Sequence, residues 1–323
     1  MTTPLDRSTT WPFVDASPGG FSYARDAHPT GAEAEAALGE LDGGRALLFP
    51  SGMGAVTTVL LTLLRPGATV AVAEGSYYGT SLLCRRLEQW GLRLIEFDQT
   101  SPPPAGADLI WLEAPSNPLL TMPDFEAAVA HPAPVVCDST VGSPVFVRPL
   151  ELGCDVALHS ATKVLSGHDD ALSGSVCTRN DELFDRLAEM RGLTGIVASA
   201  DTAWLLLRGL KTLRVRIARQ TETARALAER LATHPAVTKV RYPGFSYLLA
   251  FEVRDEEAAL ALERALQTIV NATSLGGTVS KLEGRHRREG DRCPPGLLRL
   301  SVGLEDEAVL WADLEQALAR RPA

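Results

Sequence analysis

Lysine is rare in this chain, which has only four lysines among its 31 basic residues. One of them, Lys163, follows the small and hydroxyl residues 160–162 and precedes a Gly-His loop. Arginine stays protonated in proteins, whereas a desolvated lysine can become a neutral amine that acts as a base or condenses with a carbonyl group. Because the chain uses arginine for most of its positive charge, we predict amine chemistry at Lys163.

Two other sites that could bind a ligand or take part in a reaction also follow candidate strands. Gly52 and Met53 open a predicted helix, where free backbone N–H groups can bind phosphate. Asp138 ends an apolar strand, and ligands of open α/β sheets bind outside the carboxyl ends of strands. Taken singly, Asp138 could be a helix N-cap and Gly52 a tight helix start. Together with Lys163 they match the needs of pyridoxal phosphate, which are phosphate donors, an acidic partner for the ring nitrogen and an amine for the aldehyde.

Short apolar runs alternate with helical patterns along most of the chain, which predicts an α/β fold whose central sheet is mostly parallel and flanked by helices. We divide the chain into an N-terminal arm without a long regular element (1–45), a large cofactor-binding domain (46–215) and a smaller C-terminal α+β domain (216–323). A long helical pattern from about residue 202 to residue 233 contains the link between the two domains. The predicted strands are 47–49, 69–73, 92–97, 109–113, 135–138, 156–159, 237–241 and 247–253, and the other predicted helices are 52–64, 78–90, 256–266 and 306–319.

Composition narrows the class of protein and its partners. A net charge of −9 argues against binding of nucleic acid or of an anionic membrane. The five cysteines are scattered, mostly in apolar runs, which predicts reduced and buried thiols. No secretory signal precedes the first apolar run, and no apolar stretch approaches the roughly 18 residues that a membrane span needs. We therefore expect a cytoplasmic protein with neither nucleic acid nor membrane as a partner.

Several separate motifs, spread over most of the chain, resemble those of the Cys/Met-metabolism family of pyridoxal-phosphate enzymes and occur in the same order. This family includes cystathionine γ-synthase, cystathionine γ-lyase, cystathionine β-lyase and methionine γ-lyase. The motifs are Tyr23-Ala-Arg25 with His28-Pro-Thr30, Ser51-Gly-Met53, Tyr77-Tyr-Gly-Thr80, residues 113–118, Asp138-Ser-Thr140, residues 160–163, Gly167-His-Asp-Asp170, residues 203–213, Ser274-Leu-Gly-Gly277 and residues 299–306.

The resemblance implies a fold-type-I transferase fold, with pyridoxal 5′-phosphate covalently bound to Lys163. The implied catalytic residues are Lys163, which moves protons, Asp138, which keeps the ring nitrogen protonated, and Tyr77, which stacks on the ring. The implied cofactor-binding residues are Gly52, Met53, Tyr77, Asp138, Thr140, Ser160, Thr162, Lys163, Tyr23 and Arg25. The substrate α-carboxylate is assigned to Arg299, with help from Ser274 and Asn117.

The resemblance also implies a homo-oligomer, since Tyr23 and Arg25 would reach the cofactor of a neighbouring subunit. We expect a homotetramer built as a dimer of dimers, with active sites shared between subunits. The chain departs from the family pattern at several points. His28 stands where the family has Asn, Tyr78 stands where it has Gly, and the segment that usually follows a position near Phe245 is missing.

These features predict a carbon–sulfur lyase or γ-transferase that acts on an amino acid. The favoured reaction is α,γ-elimination on cystathionine-like substrates, of the cystathionine γ-lyase type. The alternatives are γ-replacement on an O-acylhomoserine, as in cystathionine γ-synthase, β-elimination by a C–S lyase, and non-catalytic pyridoxal-phosphate binding. We expect no metal, because His159 and His168 lack metal spacing and suit packing or hydrogen bonding. The basic loop 285–288 is expected to be solvated, with contact to the substrate as the alternative.

Overall fold

The computed structural model describes residues 3–320 and contains two β-sheets, each packed against helices. The strands are β1 (Arg45–Phe49), β2 (Thr69–Ala73), β3 (Arg93–Phe97), β4 (Leu109–Glu113), β5 (Val135–Asp138), β6 (Val156–His159), β7 (Gly174–Thr178), β8 (Lys239–Arg241), β9 (Leu248–Glu252), β10 (Val270–Asn271), β11 (Lys281–Gly284) and β12 (Leu297–Ser301). The α-helices are α1 (Pro29–Asp42), α2 (Gly52–Leu63), α3 (Tyr78–Leu87), α4 (Phe125–Val129), α5 (Ser143–Phe146), α6 (Asp181–Thr194), α7 (Ala200–Leu210), α8 (Leu213–Ala232), α9 (Glu256–Ala265), α10 (His286–Glu289) and α11 (Glu307–Leu318).

The larger sheet has seven strands in the order β1-β7-β6-β5-β4-β2-β3. Strand β7 is antiparallel to both of its neighbours, and the other neighbouring pairs are parallel. The central strands β4, β5 and β6 are buried along their whole length, as expected for strands covered by helices on both faces. This arrangement confirms the predicted mostly parallel α/β fold.

Three neighbouring strands of this sheet bring their carboxyl ends together. In the register, Glu113 at the end of β4 lies opposite Asp138 at the end of β5. Asp138 in turn lies opposite Leu158 of β6, two residues before Ser160. A parallel sheet ends its strands along one edge, so the chain that leaves β6 carries Lys163 to the same edge as Asp138.

The smaller sheet has five strands in the order β10-β11-β12-β9-β8, with a mostly antiparallel pairing. Helices α8, α9 and α11 pack on it through a core of leucines that includes Leu227, Leu262 and Leu314. This is the predicted C-terminal α+β unit, and its central strand β12 carries Arg299. The predicted domain boundaries at residues 45 and 215 stay predictions.

The expectation that residues 1–45 lack a long regular element is wrong for α1. Its buried apolar side chains are Ala34 and Leu38, and its sequence is otherwise dominated by Ala, Gly and acidic residues, so its apolar stripe is weak. The His28 imidazole caps the helix by accepting from the Gly31 N–H at 3.0 Å. Strands β7, β10, β11 and β12 and helices α4, α5, α6 and α10 were also absent from the predicted elements.

The single helical pattern predicted from residue 202 to residue 233 is two helices, α7 and α8. The buried Arg216 guanidinium donates to the Gly209 carbonyl at 2.8 Å and to the Thr212 hydroxyl at 3.0 Å. Because these bonds satisfy groups at the break, the chain can turn between the helices without leaving buried polar atoms unpaired.

All five cysteines are free and buried, which confirms the prediction for the thiols. Within residues 3–320, no helix combines the length and the apolar character needed to cross a bilayer. The same residues contain no group of three or more His, Cys, Asp or Glu side chains placed to hold a metal ion.

Candidate active site

One cavity at the carboxyl edge of the larger sheet gathers most of the predicted site residues, with contributions from both sheets. It is lined by Ser51, Gly52, Met53, Val56, Tyr77, Tyr78, Glu113, Asn117, Asp138, Thr140, Val141, Ser160, Thr162, Lys163, Leu172, Thr273, Ser274, Leu275, Arg285, Arg288 and Arg299. Every predicted cofactor-binding or substrate-binding residue is in this set except Tyr23 and Arg25.

Lys163 projects its amine into this cavity. Its Nζ donates a hydrogen bond to Ser274 Oγ at 3.0 Å. Burial, with a further contribution from the positive charge of Arg299, lowers the pKa of Lys163 to about 8. A substantial fraction of this amine is therefore neutral near physiological pH, as a base or nucleophile requires.

The backbone that follows Lys163 is held by Arg216, a residue that sequence reasoning missed. Arg216 is 4% exposed, and its guanidinium donates to the carbonyl of Val164 at 2.9 Å. The same guanidinium links this segment to the break between α7 and α8. The contact is hard to predict from the sequence because the partner of Arg216 is a backbone carbonyl 52 residues away. The one available indication was the position of Arg216 on the buried face of α8.

Asp138 lies at the floor of the cavity and is 8% exposed. Its Oδ1 accepts hydrogen bonds from the Thr140 N–H at 2.9 Å and from the Thr140 hydroxyl at 2.5 Å. Burial raises the pKa of Asp138, and the two bonds from Thr140 act in the opposite direction. Since Thr140 Oγ1 also accepts from the Ser160 N–H at 2.8 Å, one hydroxyl fixes both the carboxylate and the segment that leads to Lys163.

Helix α2 begins at the cavity wall with Gly52 and Met53. The first N–H groups of a helix have no intrahelical acceptor, so this end offers free donors. A Cβ atom on Gly52 would lie 2.9 Å from Cβ of Ser160, and only glycine allows this close approach. Ser160 and Thr162 were both predicted to bind the cofactor, but the Thr162 hydroxyl already has protein partners. It donates to the Ser173 carbonyl at 2.9 Å and accepts from the Ser173 N–H at 2.9 Å.

Tyr77 stands at the start of α3, and its N–H donates to Glu113 Oε2 at 2.5 Å. The Tyr77 ring lies against the ring of Tyr78, with 5.0 Å between the ring centroids. Burial raises the pKa of Tyr77, and burial together with the neighbouring Asp138 raises that of Glu113. Glu113 lies in the motif of residues 113–118 and had no predicted role; its carboxylate holds the backbone of Tyr77.

Arg299 is 4% exposed and is joined to both predicted substrate-binding partners. Nη1 donates to Asn117 Oδ1 at 3.0 Å, and Nη2 donates to the Ser274 carbonyl at 2.9 Å. Nη2 also lies 3.2 Å from Glu283 Oε2. These contacts fix the plane of the guanidinium and use both N–H groups of Nη2, which leaves Nε and one N–H of Nη1 as its free donors within residues 3–320.

The prediction that the loop 285–288 is solvated is wrong for Arg285, which is 2% exposed and lines the cavity. Arg285 forms ion pairs with Glu283 at 2.8 Å and with Glu289 at 2.6 Å. A run of basic residues normally indicates a solvated surface, but the two flanking glutamates compensate this buried charge. The acidic residues at positions −2 and +4 from Arg285 were the signal that sequence reasoning did not use.

Tyr23 and Arg25 lie outside the cavity, on a surface cleft formed with residues 195–201. Tyr23 is 44% exposed, and Arg25 donates to the Gly192 carbonyl at 2.7 Å. Their role toward the cofactor of a neighbouring subunit stays a prediction.

His159 bonds Asp42 at 2.9 Å, and His168 bonds the Ser166 carbonyl at 2.7 Å, which confirms both histidines as hydrogen-bonding residues.

The residues of the cavity fit pyridoxal phosphate. Gly52 opens a helix start whose free N–H groups face the cavity and which only glycine allows so close to Ser160. A buried carboxylate at Asp138 and an amine of lowered pKa at Lys163 complete the donor set. This combination of groups is what the phosphate, the ring nitrogen and the aldehyde of the cofactor require.

The family profile described as "Cys/Met metabolism PLP-dependent enzyme" matches residues 1–319. The chain belongs to this family. The enzyme is 37% identical to cystathionine gamma-synthase of Mycobacterium bovis, over 93% of this chain and 87% of the relative. It is 38% identical to L-methionine gamma-lyase of Pseudomonas deceptionensis, over 93% of this chain and 85% of the relative.

Solved structures agree with this assignment. The cystathione gamma lyase CalE6 of Micromonospora echinospora superimposes on the enzyme with a TM-score of 0.93 and 33% sequence identity. The superposition covers 99% of this chain and 94% of CalE6. The enzyme is therefore a pyridoxal-phosphate-dependent enzyme of Cys/Met metabolism with the fold of this family.

The lowered pKa of Lys163 predicts how the cofactor-free enzyme takes up pyridoxal phosphate. The neutral amine is the reactive form, so the second-order rate of uptake should rise about tenfold per pH unit below the pKa of about 8 and level off above it. With an ordinary lysine, whose pKa is about 10.4, the rate of uptake would keep rising through pH 10. Stopped-flow absorbance over a pH series measures this rate, and a tenfold rise between pH 9 and 10 would contradict the assignment.

Proposed function

We propose that the enzyme catalyses α,γ-elimination on cystathionine-like amino acids, expelling a thiol from the γ-carbon. The observation that carries this proposal is the convergence of Lys163, Asp138 and Arg299 on one cavity. In that cavity the amine of lowered pKa is hydrogen-bonded to Ser274, whose carbonyl also accepts from the guanidinium of Arg299. A base beside a carboxylate-binding group is the arrangement that proton removal from an α-amino acid needs.

Arg299 binds the α-carboxylate of the substrate in this proposal. Asn117 and Ser274 hold the guanidinium plane, so the substrate is oriented by a rigid fork rather than by a flexible chain. Arg299 remains protonated at neutral pH, although burial, aided by the positive charge of Arg285, lowers its pKa to about 10. The cavity thus has a permanent cation where the carboxylate is placed.

Lys163 moves the protons. Bound pyridoxal phosphate supplies an electron sink conjugated with the substrate Cα. The neutral amine of Lys163 would take the proton from Cα and pass it on to the conjugated system, which restores the neutral amine. The same amine would then remove a proton from Cβ, and the γ-substituent would leave as a thiolate that takes up a proton. Asp138 holds a proton on the ring nitrogen through its buried carboxylate, and Thr140 keeps that carboxylate in place.

A second candidate is γ-replacement on an O-acylhomoserine. The relative from Mycobacterium bovis is named cystathionine gamma-synthase and shares 37% identity with this chain. Elimination and replacement use the same residue roles until the γ-substituent leaves. They differ in whether a thiol then adds at the γ-carbon.

Product analysis by mass spectrometry tests the proposal. The purified holoenzyme is incubated with L-cystathionine, O-acyl-L-homoserines, L-methionine or L-cysteine, with and without an added thiol. We expect L-cystathionine and water to give L-cysteine, 2-oxobutyrate and ammonia. Homocysteine with pyruvate would show β-elimination instead, and cystathionine formed from an O-acylhomoserine and cysteine would support the second candidate.

A further inference from the structure

The cavity that contains Lys163 has a second cationic face, formed by Arg285 and Arg288. Both residues follow β11, whose Glu283 lies opposite Arg299 in the register of the smaller sheet. The two arginines are therefore fixed on the same framework as the group assigned to the substrate α-carboxylate. Neither arginine has a role in the function proposed above.

Arg285 is the inner member of the pair. It is 2% exposed, and its two terminal nitrogens are paired with Glu283 and Glu289. Its Nε is buried and lacks a hydrogen-bond partner among residues 3–320. A guanidinium carries five N–H donors and the two glutamates take two of them, so this cavity-lining arginine has donors left for a bound acceptor.

Arg288 is the outer member and its side chain is 45% exposed. Its Nε lies 2.9 Å from Glu283 Oε1. In the part of the chain that the structure describes, its terminal nitrogens make no hydrogen bond. An open guanidinium fork at the mouth of a cavity is suited to bidentate binding of a carboxylate.

We propose that Arg285 and Arg288, which share Glu283 with Arg299, form a subsite for a second carboxylate, the one at the distal end of the substrate. The inference rests on the proposed function, because Arg299 must first hold the α-carboxylate. Arg285 lies inside the cavity and Arg288 at its mouth, so the subsite serves amino acids with a long γ-substituent that ends in a carboxylate. Cystathionine and O-succinylhomoserine belong to this class, whereas methionine and O-acetylhomoserine do not.

Two unreactive amino acids test the subsite without turnover. L-2-Aminosuberate has the chain length of cystathionine, a distal carboxylate and no leaving group, and L-2-aminooctanoate has the same length without the distal carboxylate. Calorimetry on the holoenzyme should give a dissociation constant at least about tenfold lower for L-2-aminosuberate, as expected for a charge-assisted pair. Equal constants for the two probes would overturn the proposal.

Arg288→Gln identifies the residue responsible. Glu283 keeps Arg285 and Arg299 as partners in this variant, so its charge stays compensated and the fold is preserved. Arg287→Gln is the matched control, because Arg287 is 48% exposed on the same short helix and pairs with Glu263, outside the cavity. We expect Arg288→Gln to abolish the preference for L-2-aminosuberate and Arg287→Gln to retain it. Loss of the preference in both variants, or in neither, would contradict the assignment to Arg288.

Arg285→Lys extends the test to the inner residue, since it keeps the charge but not the fork. Its preference for L-2-aminosuberate should fall at least threefold, with thermal unfolding recorded to show that the variant is folded; an unchanged preference would remove Arg285 from the subsite. Binding of the probes is independent of product formation. If no substrate gives products but the preference holds, the proposed function fails and the subsite stands. If cystathionine is cleaved but the preference is absent, the subsite fails and the function stands.

Discussion

Replacing Lys163 with alanine should abolish measurable turnover, with kcat lowered by at least about 10³-fold, the scale of a lost general base. The amine is the group in the cavity whose pKa, at about 8, allows proton transfer near neutral pH. Its one hydrogen bond within residues 3–320 goes to Ser274 Oγ. Because the amine supports no backbone group, the variant should fold normally, and the loss of activity should reflect chemistry.

Lys239→Ala is the matched control, since Lys239 is exposed on β8 in the smaller sheet. Borohydride reduction of the holoenzyme followed by peptide mass spectrometry gives a readout apart from activity. The cofactor mass should be found on the peptide of Lys163 in the native protein and in Lys239→Ala, and should be absent from Lys163→Ala. Lys281 is the nearest rival, but it is paired with Asp169 at 2.5 Å, so a label on Lys281 would refute the assignment.

The carboxyl edge of the larger sheet could be predicted from the sequence because its determinants are local. Apolar runs of four or five residues gave β4, β5 and β6, and each strand ends in a polar residue. Parallel neighbours end at one edge, so Glu113, Asp138 and Ser160 had to lie near one another. The detailed hydrogen bonds at this edge, such as the one that the Ser160 N–H donates to the Thr140 hydroxyl, depend on the register and could not be predicted from spacing.

Helix α1 was missed because tertiary contacts, and not periodicity, stabilise it. Two apolar side chains, Ala34 and Leu38, are fully buried, and the rest of the buried face is made of small or polar residues such as Gly31 and Gly39. A Cβ atom on Gly39 would lie 2.6 Å from the Gly44 carbonyl, so close backbone packing replaces a wide apolar stripe. Such packing has no 3.6-residue hydrophobic signature.

Burial of Arg285 was missed for a different reason. In the sequence it begins a run of basic residues, which is typical of a solvated loop. Both charge partners are local, since Glu283 lies two residues before Arg285 and Glu289 one helical turn after it. These neighbours indicated that the charge is compensated, but only the pairing of β11 with β12 shows that the segment lines the same cavity as Arg299.

Replacing Asp138 with asparagine should lower kcat by roughly 10²- to 10⁴-fold, the range for loss of a positioned acid–base or electrostatic group. Asparagine has the same shape, and its carbonyl oxygen can still accept from the N–H and hydroxyl of Thr140. What the variant loses is the negative charge that holds a proton on the ring nitrogen. Steady-state kinetics with the preferred substrate from the product panel measure the effect.

The cofactor-free Asp138→Asn variant should be at least as stable as the native protein, although its kcat falls. Burial raises the pKa of Asp138, so the folded protein binds its proton more tightly than the unfolded chain does. Ionisation of this group therefore lowers the free energy of unfolding as the pH rises through the interval between the unfolded and folded pKa values. Above that interval, Asp138→Asn should unfold at the same temperature as the native protein or at a higher one.

Asp124→Asn is the matched control, because Asp124 caps helix α4 by accepting from the Ala127 N–H at 3.0 Å and lies outside the cavity. It should keep full activity. Native-like kcat in Asp138→Asn would show that the buried carboxylate has no part in catalysis. A loss of both activity and stability would instead assign Asp138 a structural role. If the variant loses activity but keeps its stability, the charge is used by the cofactor. Removing a charge needed for folding would lower both activity and stability.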